Sequence, residues 1–165
     1  MQKDMSEVPM ADTNVFLIGM PATGKSTVGR LLSKLLGNPF YDSDDEIELR
    51  SGAAVSWIFD VEGEAGFRER EHQVLEDLTA MQGVVVATGG GAILRPENRK
   101  LLRSRGTVVL LDSSDKRIHA RTAKDTKRPL LSGSDGAATI ARLRAERLPL
   151  YRETADFTVI TDKQP

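Results

Sequence analysis

The first residues in this sequence that could do chemistry are Gly19 to Ser26, reading GMPATGKS, which fit the pattern GxxxxGK[ST]. In such a segment the loop of Gly19, Met20, Pro21, Ala22, Thr23 and Gly24 wraps backbone amides around the β- and γ-phosphates of a nucleotide. The following helix N-terminus adds a favourable dipole, Lys25 a point charge and Ser26 a hydroxyl able to ligate Mg²⁺. A glycine turn that merely precedes a helix is the competing reading. It is disfavoured because a buried strand and an amphipathic helix flank the loop, as phosphate binding requires. A second group is Asp42, Ser43 and Asp44. One carboxylate there can hold Mg²⁺ through its water shell while the other accepts a substrate hydroxyl and its proton; equally, all three can cap the helix that follows. Arg68 and Glu71, three apart on a helix, suit recognition of a carboxylate ligand by a braced guanidinium. Gly89, Gly90 and Gly91 allow a close backbone approach, or form a plain turn. With no cysteine and only His72 and His119, thiolate chemistry and a histidine-rich metal centre are excluded, so acid–base work falls to carboxylates. Both histidines lack a second ligand at metal spacing and read as surface positions.

Positioning these groups takes alternating strands and helices. Asn14 to Ile18 is a short run of branched and aromatic residues and reads as a strand buried on both faces. Further strands are expected at Phe40 to Tyr41, Val84 to Ala87, Val108 to Leu111 and Phe157 to Ile160. Helical spacing predicts helices over Lys25 to Leu36, Asp45 to Arg50, Ala65 to Ala80, Glu97 to Ser104, Asp115 to Ala123 and Ala138 to Arg147. That alternation argues for an α/β fold, a parallel sheet with helices on both faces. Residues 1–12 read as a loose tail and 13–165 as one domain. The Gly-, Ser-, Asp- and Lys-rich stretch at about 122–136 is a candidate mobile lid.

The 165 residues fit a single core, and 23 Lys plus Arg against 24 Asp plus Glu leave a formal charge of −1, without the basic excess of a nucleic-acid binder. No apolar stretch approaches the ~18 residues of a membrane span, and no signal-peptide core is present, so the expected address is the cytoplasm. Trp57, Phe59 and Phe67 can be core or pocket wall, with core the commoner fate of a large aromatic. Arg142 and Arg144 read as a solvated helix face.

From about Asn14 to Asp162 the sequence resembles the shikimate kinases, P-loop small-molecule kinases of the nucleoside-monophosphate-kinase type. The resemblance rests on the phosphate loop, FYDSD at Phe40 to Asp44, FDVEGEAGFRERE at Phe59 to Glu71, GGG at Gly89 to Gly91, RPLL at Arg128 to Leu131 and ERLPLY at Glu146 to Tyr151. It implies a P-loop three-layer fold with a five-stranded parallel sheet in the order 2-3-1-4-5 and a mobile lid. It also implies transfer of phosphate from ATP to shikimate, on the way to aromatic amino acids, by an enzyme expected to be a monomer using Mg²⁺.

By the same resemblance, Lys25 and Ser26 are the phosphate lysine and metal ligand, and Thr27 an α-phosphate contact. Asp42 holds the Mg²⁺ water shell, and Asp44 binds the shikimate hydroxyls and acts as base. Arg68, Arg147 and the backbone around Gly90 complete the acceptor site, with Phe59 and Phe67 on its wall. Arg128 is the lid arginine that reaches the transferring phosphate, and Arg121 packs on adenine. A kinase for another polyol acid, such as gluconate, would share the loop and lid but lack the DSD, FR and GGG elements together. Two departures stand out. Ala22 occupies a position where the family usually has glycine, and the family's helix after the last strand is not matched before Pro165, which would leave one sheet face underpacked and weaken the adenine pocket.

Overall fold

The computed structural model describes residues 12–123 and 135–162. Five strands form one wholly parallel sheet: β1 (Val15–Ile18), β2 (Phe40–Asp42), β3 (Val85–Ala87), β4 (Thr107–Asp112) and β5 (Phe157–Ile160), in the order β2-β3-β1-β4-β5. The helices are α1 (Lys25–Leu36), α2 (Ser43–Ser51), α3 (Val55–Thr79), α4 (Pro96–Arg105), α5 (Asp115–Thr122) and α6 (Gly136–Thr154), with a 3-10 turn at Ala92–Leu94.

Alternation along β1 explains the layering. Val15 and Leu17 join Val85 under Val28, Leu32, Leu36 and Phe40 on the α1 side. Phe16 and Ile18 point the other way, into a larger core with Val86, Val108 and Leu110 of the sheet, Val74 and Leu78 of α3, Leu102 of α4 and Ile140 of α6. Leu31 and Leu35 share the helical period of α1 but lie outside this contact and are exposed. α1 approaches the sheet closely because Gly29 faces the Phe40 ring, where a β-carbon would collide. β5 is exposed along its length.

Three helices differ from the sequence expectation. α2 begins two residues earlier, at Ser43, because Asp42 caps it. α3 begins ten residues earlier than Ala65 and is kinked at Gly63, whose φ of 74° interrupts the helical period. α6 runs seven residues beyond Arg147, through Pro149, because Tyr151 and Thr154 are buried against the fold and hold the last turns in place. Thr122 and Gly136, at the edges of the expected lid, belong to α5 and α6; most of that segment, like the N-terminal tail, lies outside the described residues.

Candidate active site

Parallel pairing decides which loops meet. Asp42 pairs with Ala87, and Ala87 with Leu17, so one row of residues crosses β2, β3 and β1 near their carboxyl ends. The segments after them, Ser43–Asp44, Gly89–Gly91 and Gly19–Gly24, therefore emerge side by side at the edge where ligands of open α/β sheets bind.

The phosphate loop is organised by its own backbone. The Lys25 ammonium donates to the carbonyls of Gly19 and Met20, both at 2.8 Å, and the Thr23 hydroxyl to Met20 at 2.8 Å. Gly24 caps α1 at φ 93°. Ala22 is the one non-glycine residue with positive φ among the described residues, at 64°. Its carbonyl is held by Arg121 of α5 at 2.8 Å, and the same guanidinium reaches the Thr161 carbonyl at 3.4 Å. Arg121 thus stands between the loop and the chain leaving β5. Thr27 is exposed in the first turn of α1.

Asp42 caps α2 with one carboxylate oxygen and turns the other toward the phosphate-loop helix. Its Oδ1 accepts from the backbone N–H of Asp44 at 2.9 Å and of Asp45 at 3.1 Å, and its Oδ2 accepts from the Ser26 hydroxyl at 2.6 Å. Asp44 is not a cap: it is the second residue of α2. Ser26 and Asp42 offer hard oxygen donors facing each other, and no group of three or more His, Cys, Asp or Glu that could hold a metal occurs among the described residues. Such a pair fits Mg²⁺, which keeps several waters and takes substrate phosphate oxygens rather than an all-protein cage.

Each member of the glycine triplet lies against a different functional group. A β-carbon on Gly89 would stand 2.7 Å from Asp44 Oδ1 and 3.1 Å from Glu71 Oε2. One on Gly90 would stand 2.9 Å from the Pro21 ring and 3.3 Å from the Arg147 guanidinium, and one on Gly91 would overlap the Arg68 guanidinium. A plain turn would not need three bare residues in a row; here a side chain at each would displace a polar group or the phosphate loop. The triplet is fastened by the Gly89 N–H donating to Ser43 Oγ at 3.0 Å and by Tyr151 of α6, whose hydroxyl donates to the Gly90 carbonyl.

Arg68 Nη1 donates to Glu71 Oε1 at 2.9 Å, as their spacing suggested, and the guanidinium lies over Phe59 and Phe67, whose rings are 4.6 Å apart. Glu71 is fully buried, and its Oε2 has no hydrogen-bond partner among the described residues. Burial pushes this carboxyl up to about 7, Arg68 and Arg147 pull it down, and the neighbouring charge of Asp44 pushes it up again. Trp57, by contrast, is 55% exposed and belongs neither to the core nor to this wall. Arg128 lies outside the described residues.

Sequence reasoning missed three anchors. Arg144, read as a solvated residue, forks onto both carboxylate oxygens of Asp112 at 3.2 and 3.0 Å, clamping α6 to the end of β4. His72, read as a surface position, is half-buried and meets Asn98 at 2.7 Å, and Asn98 in turn donates to the Ala92 carbonyl just after the triplet. Tyr151 is the third. All three act across contacts more than twenty residues apart in sequence, where no local spacing signals them.

Comparison with known proteins agrees with this geometry. The family model described as shikimate kinase matches residues 21–165. A shikimate kinase from Pseudomonas syringae pathovar tomato is 54% identical over 152 residues, covering 92% of this chain and 88% of that protein. One from Legionella pneumophila is 53% identical over 150 residues, covering 91% and 86%. The solved structure of shikimate kinase from Acinetobacter baumannii in complex with shikimate superposes with a TM-score of 0.90 at 45% identity, covering 93% of this chain and 86% of that one.

Proposed function

This chain belongs to the shikimate kinase family, and from that premise we propose how its residues divide the transfer of the ATP γ-phosphate to the 3-hydroxyl of shikimate. The products are ADP and 3-phosphoshikimate, a step toward chorismate and the aromatic amino acids. The observation that carries the assignment is the gathering of Asp44, Arg68 and Arg147 on a bare glycine backbone that touches the phosphate loop at Pro21.

The loop from Gly19 to Gly24 cradles the ATP phosphates, Lys25 neutralises charge on them, Thr27 contacts the α-phosphate and Arg121 packs on adenine. Ser26 would hold Mg²⁺ directly and Asp42 through water, where the ion would neutralise charge building on the phosphate oxygens. Arg68 and Arg147 clamp the shikimate carboxylate, Phe59 and Phe67 wall the pocket, and the Gly89–Gly91 backbone lets the ring lie close to the loop. Asp44 orients the 3-hydroxyl and takes its proton. The hydroxyl oxygen forms the new bond to the γ-phosphorus, the bond to the bridging β–γ oxygen breaks, and ADP leaves with that electron pair. Arg128, in a lid at about 122–136, meets the transferring phosphate.

We further propose that residues 13–165 act as one kinase domain, as a monomer and in the cytoplasm. The formal charge of −1 lacks the basic excess of a nucleic-acid binder, and no helix among the described residues is long and apolar enough to cross a membrane. A coupled ADP-release assay with Mg²⁺ and ATP tests the reading. Rapid release is expected with shikimate and very little with gluconate or with no acceptor; equal release in all three would remove the acceptor assignment.

A further inference from the structure

We propose that Tyr151 is a positioning residue for the acceptor site: its hydroxyl fixes the Gly90 carbonyl and faces the Arg147 guanidinium, so one phenol sets the middle glycine and the carboxylate clamp relative to each other. The inference rests on the reading of Arg147 as part of that clamp.

Tyr151 lies one helical turn after Arg147 on α6, so the two side chains share a face. Its side chain is 1% exposed, and its hydroxyl donates to a carbonyl sixty-one residues away in sequence. The Arg147 guanidinium is near enough to the phenol oxygen to oppose the effect of burial, which pushes the phenol up to about 12. The hydroxyl therefore stays protonated, and able to donate, across the whole working range of pH. Gly90 is the triplet member that packs on Pro21 of the phosphate loop. Any shift of its carbonyl moves the acceptor floor relative to the donor. Pro149, between the two residues, has no N–H to give to the Ala145 carbonyl, so this stretch of α6 lacks one of its own stiffening bonds. A side-chain anchor to the triplet supplies the rigidity that the helix backbone does not.

Tyr151→Phe keeps the ring and its volume and removes only the donor. The test is a four-member set, wild type, Tyr151→Phe, Arg147→Ala and the double variant, with KM for shikimate and for ATP, kcat and thermal melting measured on each. Tyr151→Phe is expected to raise the shikimate KM about tenfold, the effect of one misplaced charge-assisted contact, and to leave the ATP KM within about twofold. On the Arg147→Ala background the same change should add less than about twofold. A purely structural tyrosine would lower the melting temperature without separating the two KM values. That result, a shikimate KM unmoved by Tyr151→Phe, loss of folding, or full additivity with Arg147→Ala would each overturn the proposal. If Arg147→Ala alone leaves the shikimate KM unchanged, the clamp reading itself fails, in a variant that retains Tyr151, and the proposal goes with it.

Discussion

The two halves of the site are built on opposite principles. The proposed nucleotide half is contiguous: a single strand–loop–helix unit carries the glycine loop, the lysine and the hydroxyl, and most of its hydrogen bonds run between residues within six positions of each other. The acceptor half is assembled from α2, α3, the segment after β3, and α6. Its parts meet because three glycines leave room for them. A contiguous site depends on local backbone conformation, and a composite one on long-range packing, so the two should respond differently to substitution.

The widest separation is expected at Asp44. Asp44→Asn preserves shape and removes the charge and the proposed proton acceptor, so kcat should fall by about 10²- to 10⁴-fold, the range for loss of a general base. Mg-ATP binding measured by calorimetry should stay near wild type, and near-normal turnover would take Asp44 out of the chemistry. Asp42→Asn, two residues earlier at the end of β2 and facing Ser26, should instead raise the Mg²⁺ concentration needed for half-maximal rate.

Arg68→Lys keeps a cation beside Glu71 but loses the planar fork. The shikimate KM should rise about tenfold in steady-state assays with little change in the ATP KM. An equal rise in both would blur the division between the halves.

Glu71 gives the acceptor half a pH signature. Its folded carboxyl sits at about 7 against an ordinary 4.5, so the folded state binds more protons across that window. Stability is then lost as pH rises through it, with the cost absent below about 4.5 and complete above about 7. Melting curves at about pH 5 to 8 should show wild type losing ground to Glu71→Gln as pH increases; parallel curves would place no titrating carboxyl at this position.

On the nucleotide side the clearest expected change is smaller and local. Ala22 holds a left-handed φ of 64°, which costs an alanine about 1 kcal/mol, partly offset by the extra freedom glycine has in the unfolded chain. Ala22→Gly should therefore raise the melting temperature by about 1 to 2 °C. A decrease would mean that the loop carries no strain there.

The same contrast explains what could be read from the sequence. α1 is legible to the residue and β1 to within one, because apolar run, glycines, lysine and helical period are consecutive. The acceptor half was recognisable through DSD, FR, GGG and PLY occurring in one order, while its wiring was not. Pro149 concealed the last two turns of α6, where Tyr151 sits, and Gly63 broke the period that would have revealed the first part of α3. Arg144 looked like surface because its partner, Asp112, is brought beside it by strand order. Sequence periodicity reports which face a residue occupies; which distant group waits on that face is decided by topology.

If bare glycine backbone makes room for the acceptor groups without taking part in nucleotide binding, Gly91→Ala should separate the two substrates. Gly91 has φ −97°, open to alanine, so the new methyl strains no backbone, and the three atoms nearest to it all belong to the Arg68 guanidinium. Steady-state kinetics should show the shikimate KM raised at least about tenfold, the scale of one displaced charge-assisted contact, with the ATP KM unchanged. An unaltered shikimate KM, or an equal rise in both constants, would contradict it.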